Sequence, residues 1–343
     1  MLSEINFVDK RAIKRLANMS EIMDKTKKIY VAGHSGLVGT AIMRQLDVRG
    51  YNNIVTRTHS ELDLADQISV RQFFAEQQPA YVILAAAKVG GIHANRTYPA
   101  DFIYQNLMIQ TNVIDSAYHY NVQKLIFLGS SCIYPKLAKQ PMNEDQLLAG
   151  YLEETNEAYA IAKIAGVKMC KAYNQQYATN YMSMMPTNLY GIGDNYDLQN
   201  SHVIPALIRK FHEGKISKQK QVALWGTGTP KREFLCSDDM ADACLYIMEN
   251  YNSNDTGEVI NIGSGKDISI HDVARLIAKI VGFNGSIVYD NSMPDGTMRK
   301  LLDVTKLSTL GWQPKVSFES GLRLAYDDFL QNYCAITRDA AEA

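Results

Sequence analysis

Reducing a carbonyl group requires hydride at its carbon and a proton at its oxygen, so a reductase holds a protonated side chain beside that oxygen. Tyrosine supplies such a donor, but with a pKa near 10 it is a weak acid at neutral pH unless a nearby ammonium favours the phenolate left behind. Residues four apart share a helix face, so Tyr-x-x-x-Lys delivers the two together. The chain offers two such pairs, Tyr120–Lys124 and Tyr159–Lys163. The first runs from a predicted helix end into a predicted strand, Lys124–Leu128, so its side chains need not converge. The second lies in NEAYAIAKIAGVKM, inside a helical run that starts after Thr155 and Asn156, both residues of N-cap type. With 20 tyrosines an accidental match is easy. What raises Tyr159–Lys163 is the strand ending in GSS ahead of it, where Ser130 or Ser131 can hydrogen-bond a substrate carbonyl.

Hydride must come from a bound carrier, and KKIYVAGHSGLVGTAI contains a loop suited to one. Gly33, Gly36 and Gly39 follow a predicted strand and open an amphipathic helix. Glycines so placed permit the turn, the approach of backbone to a pyrophosphate and close helix–strand packing, while the helix N-terminus favours the anion. Ser35, Leu37 and Val38 lie within the same loop. At the end of the second strand a carboxylate would bond the NAD ribose and a cation would neutralise the extra phosphate of NADP. This chain reads NNIVTRTHSELDL there, with Arg57 and His59 before any carboxylate, so NADP(H) is expected; Asp63 is placed to meet the adenine instead.

The elements that must position these residues are legible as alternating short β-rich runs and longer helical patterns, the signature of βαβ units. Strands are predicted at Lys28–Ala32, Asn53–Thr56, Tyr81–Ala86, Lys124–Leu128 and Tyr181–Met185. Leu37, Val38, Ala41, Ile42 and Leu46 form one apolar helix stripe that Gly50 ends. After Tyr190 the texture becomes loop-like and richer in Gly and Pro. Strands at Val222–Trp225 and Val259–Ile262 and helices near Ile270–Val281 and Phe318–Gln331 follow. The expected architecture is α/β: a Rossmann-type doubly wound parallel sheet over residues 28–190, with returning segments around 235–262, and a smaller α/β substrate-binding domain from 191–234 and 263–334. Residues 1–27 read as a disordered N-terminal extension, with Met19 and Met23 just ahead of the first strand, and 335–343 as a tail.

Composition narrows the classes. Among 343 residues, 35 Lys+Arg against 36 Asp+Glu leave a formal net charge of −1, which argues against non-specific nucleic-acid binding. The longest apolar run, Tyr81 to Ala87, is cut by Lys88, far short of the roughly 20 residues a membrane helix needs. Five cysteines with no paired zinc spacing predict neither a disulfide framework nor a metal site, and a reducing cytoplasmic setting fits them.

Longer strings make the match specific. AAAKVGG, GSSCIYPKLAKQP, YAIAKIAG, MPTNLYG, NSHVIPALIR, GTPKREF and PDGTMRKLLDV occur in one order, and across about residues 28 to 332 the chain resembles the GDP-L-fucose synthase family of extended short-chain dehydrogenases/reductases. The resemblance implies a GDP-sugar substrate, epimerised at C3 and C5 and then reduced at C4 with NADPH. It assigns Cys132 as base, His202 as acid, Tyr159 as proton donor, Lys163 as its electrostatic partner and ribose contact, and Ser130 as carbonyl ligand. It adds Pro186, Asn188, Leu189 and His202 to the cofactor site, and Lys210, Trp225, Arg232 and Asp295 to the substrate site. A homodimer is implied too.

A thiol near pKa 8.5 and an imidazole near 6.5 suit proton removal and return at neutral pH. Read without the resemblance, Cys132 is a buried small side chain and His202 a polar residue opening a helix. Lys210 then becomes a solvent-facing lysine late in a helix and Trp225 a core residue. Ser35 and His59 stand where some relatives carry arginines, so 2′-phosphate binding is expected to rest on Arg57. A GDP-colitose-type synthase, a redox-neutral epimerase and a dinucleotide-sensing protein without activity remain alternatives at this point.

Overall fold

The computed structural model describes residues 23–198, 201–292 and 295–334. Strand β1 (Ile29–Ala32) leads through helix α1 (Leu37–Val48) to β2 (Ile54–Val55). Then follow α2 (Gln67–Gln77), β3 (Tyr81–Leu84), α3 (Pro99–His119), β4 (Lys124–Leu128), α4 (Glu157–Tyr177) and β5 (Tyr181–Pro186). These strands and the later β9 (Ile260–Ile262) form a six-stranded parallel sheet in the order β2-β1-β3-β4-β5-β9. The order reverses between β1 and β3, which opens a crevice at their carboxyl ends.

The sheet is buried on both faces, as its near-continuous apolar strands require. Alternate residues face opposite ways. Ile29, Val31, Ile83, Ile126 and Met184 pack against the α1 stripe of Ala41, Ile42 and Leu46, while Tyr30, Val82, Leu125 and Phe127 pack against Val70, Phe74, Val113, Ile114 and Val167. The five predicted strands are thus found: the first three are trimmed by one or two residues at an end, Lys124–Leu128 is as predicted, and the fifth runs one residue further, to Pro186.

The later chain adds β6 (Asn188–Tyr190), α5 (Val203–Ile216), β7 (Gln221–Trp225), β8 (Lys231–Cys236), α6 (Ser237–Asn250), β9 (Ile260–Ile262), β10 (Asp267–Ser269), α7 (Ile270–Val281), β11 (Ser286–Asp290), β12 (Arg299–Lys300) and α8 (Phe318–Asp328). Helix α6 lies on α1, tied by Arg44–Asp238 at 2.8 Å and Arg49–Asp242 at 2.6 Å. Strand β8 is a hub, pairing antiparallel with β10 and parallel with β12 and β6. A third apolar cluster joins Ile204, Leu207 and Phe211 of α5, Val273 and Ile277 of α7, and Leu322 and Ala325 of α8.

One expectation is corrected, and one strand was not predicted. Of the extension expected over residues 1–27, Met23 is buried in the first core cluster, the Asp24 amide donates to the Tyr81 hydroxyl at 2.8 Å, and Lys25 Nζ donates to the Arg49 carbonyl at 2.7 Å. Residues 1–22, with Met19, lie outside the described residues, as does the tail 335–343. Strand β8 escaped the apolar pattern because KREFLC carries Glu233, a carboxylate that is 0% exposed. A buried charge interrupts the run that sequence reading relies on.

The turn after β1 depends on missing side chains. Gly33 has φ +85°, and a Cβ there would sit 2.6 Å from the Ala86 amide nitrogen at the end of β3; a Cβ on Gly39 would overlap the Gly33 carbonyl. Gly36 is looser, with that carbonyl 3.7 Å from its would-be Cβ. Gly39→Ala is therefore expected to destabilise the protein by about 1–3 kcal/mol, as overpacking does, and Gly36→Ala to leave stability near wild type. Urea midpoints of the two variants test this; equal midpoints would defeat it.

Candidate active site

Helix α1 opens on Gly36 with no side-chain cap and no acidic residue in its first turn. Its first amides lack intrahelical acceptors and point into the switch crevice, which is the environment an anion takes. The His34 Nδ1 beside them is buried without a partner among the described residues. Past β2, the Arg57 guanidinium lies 5.4 Å from the Phe73 ring centre and donates to the Thr56 carbonyl at 2.8 Å. Glu61, the first carboxylate, is turned into its own loop, accepting from the Thr58 amide at 2.7 Å and hydroxyl at 2.8 Å. Asp63 accepts from the Ala65 amide at 2.9 Å and stands 3.8 Å from His59, whose side chain is 85% exposed. The surface is cationic at Arg57 and its nearest carboxylate is engaged, so these residues fit a dinucleotide with a 2′-phosphate. Pro186 ends β5, Leu189 sits half-buried in β6, and the Asn188 amide group donates to the Glu233 carbonyl at 2.8 Å.

The reactive cluster forms where β4 ends. Gly129 follows the strand because a Cβ there would overlap Met185 of β5. Ser130 then caps a single 3-10 turn, Ser131–Ile133, accepting from the Cys132 amide at 3.3 Å. Cys132 is 7% exposed. Across from it, α4 comes close to β4 because Gly166 leaves room for the Phe127 ring. Tyr159 and Lys163 share the facing side of α4, and Lys163 Nζ donates to the Leu128 carbonyl at 2.8 Å. The same ammonium lies 5.0 Å from the Phe127 ring centre and 5.8 Å from that of Tyr159. Ser130, Cys132, Tyr159 and Lys163 are thus brought together. Tyr120 and Lys124 are not: Tyr120 ends α3, and Lys124 Nζ donates to the Met248 and Tyr251 carbonyls at 2.9 and 3.0 Å.

Burial governs how these groups ionise. It pushes the Tyr159 phenol far up, Cys132 adds to that, and Ser130 opposes it. It pushes Lys163 down to about 8, against the pull of Cys132. The Cys132 thiol is raised by burial and eased down by Ser130, Lys300 and Lys163. A lysine-depressed tyrosine, the expectation from spacing alone, is therefore not what the pocket holds; Tyr159 stays protonated, as a donor must. Asn156 is the N-cap of α4, but its side chain makes no cap bond; a 3-10 turn, Glu154–Asn156, precedes it.

His202 is the N-cap residue of α5, open to solvent at its edge, with the surrounding protein lowering its pKa by desolvation. No hydrogen bond or ion pair joins it to the β4 cluster among the described residues. Lys210 is half-buried in mid-helix, not solvent-facing, with its Nζ 5.5 Å from the Trp225 ring centre. Trp225 is 62% exposed because β7 alternates its faces, so the core reading of this residue fails. Arg232 is half-buried on β8, its pKa lowered by burial and supported by Asp295. Both Asp295 oxygens are engaged, by the Thr227 amide at 2.6 Å and hydroxyl at 2.8 Å. Lys300 and Glu233 were overlooked from sequence, although both lie within quoted strings, PDGTMRKLLDV and GTPKREF. Among the described residues no group of His, Cys, Asp and Glu could hold a metal ion.

A doubly wound sheet with an uncapped helix end at its switch point and a Ser–Tyr–Lys group one strand away is the layout of a nucleotide-dependent carbonyl enzyme. The chain belongs to the NAD dependent epimerase/dehydratase family, whose model matches residues 29–263. It is 56% identical over 318 residues to GDP-L-fucose synthase 1 of Arabidopsis thaliana, covering 93% of this chain and 98% of that one. It is 55% identical over 312 residues to GDP-L-fucose synthase of Escherichia coli (strain K12), covering 89% and 97%. The structure superposes on a GDP-L-fucose synthetase from Naegleria fowleri bound to NADP with a TM-score of 0.84 at 28% identity, covering 91% and 97%.

Arg57→Ala is expected to weaken NADPH binding roughly 10- to 100-fold, the range for losing a bond to a charged group, and to leave NADH binding near wild type. Fluorescence titration with both nucleotides measures this; an equal loss for both would remove Arg57 from phosphate recognition.

Proposed function

We propose that the protein is a GDP-L-fucose synthase, which epimerises GDP-4-keto-6-deoxy-D-mannose at C3 and C5 and reduces C4 with NADPH. The observation that carries this reading is the convergence of Ser130, Cys132, Tyr159 and Lys163 at one strand end, in a chain more than half identical to such synthases over most of its length.

Both C3 and C5 lie α to the ketone, so loss of a proton moves electrons onto the carbonyl oxygen. Cys132, as thiolate, takes the proton from one face, and the hydroxyls of Ser130 and Tyr159 hold the developing oxyanion. His202 returns a proton from the opposite face, which inverts the carbon. NADPH, when bound, supplies hydride to C4. Tyr159 then gives its proton to the oxygen, and the Lys163 ammonium steadies the phenolate that remains. The amides of α1 would hold the dinucleotide pyrophosphate, with Arg57 and His59 at the 2′-phosphate and Asp63 at the adenine. Lys210 and Arg232 meet the substrate diphosphate, while Trp225 offers an apolar face. Asp295 holds the turn beside Trp225 and lends its remaining lone pairs to substrate hydroxyls.

In this reading residues 28–190 and 235–262 serve the cofactor, and 191–234 with 263–334 serve the sugar nucleotide. The buried free thiols of Cys132, Cys170, Cys236 and Cys244 support a reducing, cytoplasmic setting. Exposed Tyr98, Tyr104 and Ile161 on or beside α3 and α4 support a homodimer formed through those helices. Sedimentation velocity at micromolar concentration is expected to give twice the chain mass; a monomer would defeat the dimer.

Purified protein with NADPH and GDP-4-keto-6-deoxy-D-mannose is expected to consume NADPH and yield GDP-L-fucose, and the absence of that product would overturn the assignment. Tyr159→Phe is expected to lose about 10²- to 10⁴-fold in reduction, the usual weight of a general acid, while still exchanging solvent deuterium into C3 and C5. Cys132→Ser is expected to lose that exchange and keep NADPH binding; exchange at the wild-type rate would exclude Cys132 as the base.

A further inference from the structure

The 3-10 turn that carries Cys132 is held at both ends, and the two anchors differ in strength. At its start the Ser130 hydroxyl accepts from the Cys132 amide at 3.3 Å, and the Ser130 carbonyl accepts from the Ile133 amide at 3.2 Å. Both are long for N–H···O bonds. That hydroxyl is also the ketone's ligand in the proposed reaction, so the start of the turn is a weak anchor. At the far end stands Tyr134, which closes the turn and is buried. Its hydroxyl donates to Asn261 Oδ1 at 2.6 Å. Asn261 is itself buried, on β9, two strands away from β4 across β5.

Every polar atom of the Asn261 side chain is committed. Its Nδ2 donates to the Met142 carbonyl at 3.0 Å and the Asp303 carbonyl at 3.1 Å, which uses both amide hydrogens. Oδ1 is therefore turned to Tyr134, and only a donor there satisfies it. The Asn261 backbone amide donates to Glu144 Oε1 at 3.0 Å, and the Asp303 amide donates to the Met142 carbonyl at 2.8 Å. Met142 and Glu144 belong to the segment that runs on from the Cys132 turn, and Asp303 to the chain leaving β12. The acceptor for Tyr134 is thus fixed by three separate parts of the chain. Tyr159 and Lys163 are held independently, on α4 and through the Leu128 carbonyl. Loosening the Tyr134 end moves the thiol and leaves the proton donor in place.

We propose that Tyr134, fixed by Asn261, is a positioning residue that locks the turn after β4 so that the Cys132 sulfur meets the protons on C3 and C5. Tyr134 takes no proton from the sugar. It acts through the turn, because proton transfer from carbon tolerates little displacement of the base. Its weight in catalysis rests on the function proposed above, but its hold on the turn does not.

Tyr134→Phe removes one oxygen, keeps the ring in the apolar cluster it shares with Phe127 and Ile133, and leaves Asn261 Oδ1 buried without its donor. Proton exchange at C3 and C5 competes with hydride transfer for the same ketone, so a displaced base lets reduction overtake inversion. With NADP+ in place of NADPH, the variant is expected to exchange solvent deuterium into C3 and C5 about tenfold more slowly than wild type, the weight of one buried hydrogen bond. With NADPH it is expected to release GDP-6-deoxyhexoses uninverted at C3 or C5 beside GDP-L-fucose. A general loss of folded protein lowers all products together and leaves their ratio unchanged. In the free enzyme, mass spectrometry of the Cys132 peptide is expected to show iodoacetamide alkylation roughly threefold faster, because a loosened turn uncovers the thiol. NADPH titration reports folding. If Tyr134→Phe fails to bind NADPH, Asn261→Asp, which releases the acceptor from Met142 and Asp303, takes its place with the same expectations. A wild-type alkylation rate, or a wild-type product ratio, overturns the proposal. Lack of GDP-L-fucose formation by the wild type would defeat the proposed function, and the alkylation rate alone then decides whether Tyr134 holds the turn.

Discussion

The bond from Lys163 Nζ to the Leu128 carbonyl is the contact around which the reactive centre is organised. An ammonium cannot be buried alone, and the carbonyl at the end of β4 is a partner the sheet does not use. Satisfying it fixes the distance between α4 and β4, and with it the relation of Tyr159 to Ser130 and Cys132. Gly166 and Gly129 are the sequence's concessions to that approach, each leaving space that a neighbouring side chain fills. The same burial shifts every titrating group in the pocket. Tyr159 stays protonated, Lys163 is only moderately basic, and Cys132 depends on nearby cations for its charge.

The cofactor crevice obeys a related rule. A near-neutral chain handles two polyphosphate molecules because the charge is local and much of the anion recognition belongs to backbone. The uncapped start of α1 exists only because Gly33 and Gly39 let β1, β3 and the helix meet within van der Waals limits. Arg57, Lys210 and Arg232 add cations at separate points, each packed against or beside another side chain instead of extended into water.

Much of this was legible in the residues. Strand–glycine–helix order, the apolar stripe of α1 and the GSS and YAIAK strings located both halves of the site, since they depend on spacing along one or two neighbouring elements. Misreadings arose where the outcome depends on what packs from afar. Trp225 is apolar, and only the alternation of β7 against α5 shows that it faces outward over Lys210. Nothing in the string GTPKREF reveals that the amides of Gly265 and Leu302 converge on Glu233. Met23, assigned to a loose extension, is drawn into the core by the edge of the sheet.

By itself, then, the amino-acid sequence determined the α/β class, the glycine turn, the Tyr159–Lys163 face and the family, because periodicity, turn chemistry and short motifs act over a few residues. Tertiary structure alone decided the ionisation of that face and the company of Cys132. Residues 132, 163, 233 and 300 are separated by long stretches of chain, and desolvation and Coulomb interaction depend on distance through space. Only folding sets the buried Cys132 thiol beside the α4 face of Tyr159 and Lys163, and draws the Glu233 carboxylate against the Leu302 and Gly265 amides.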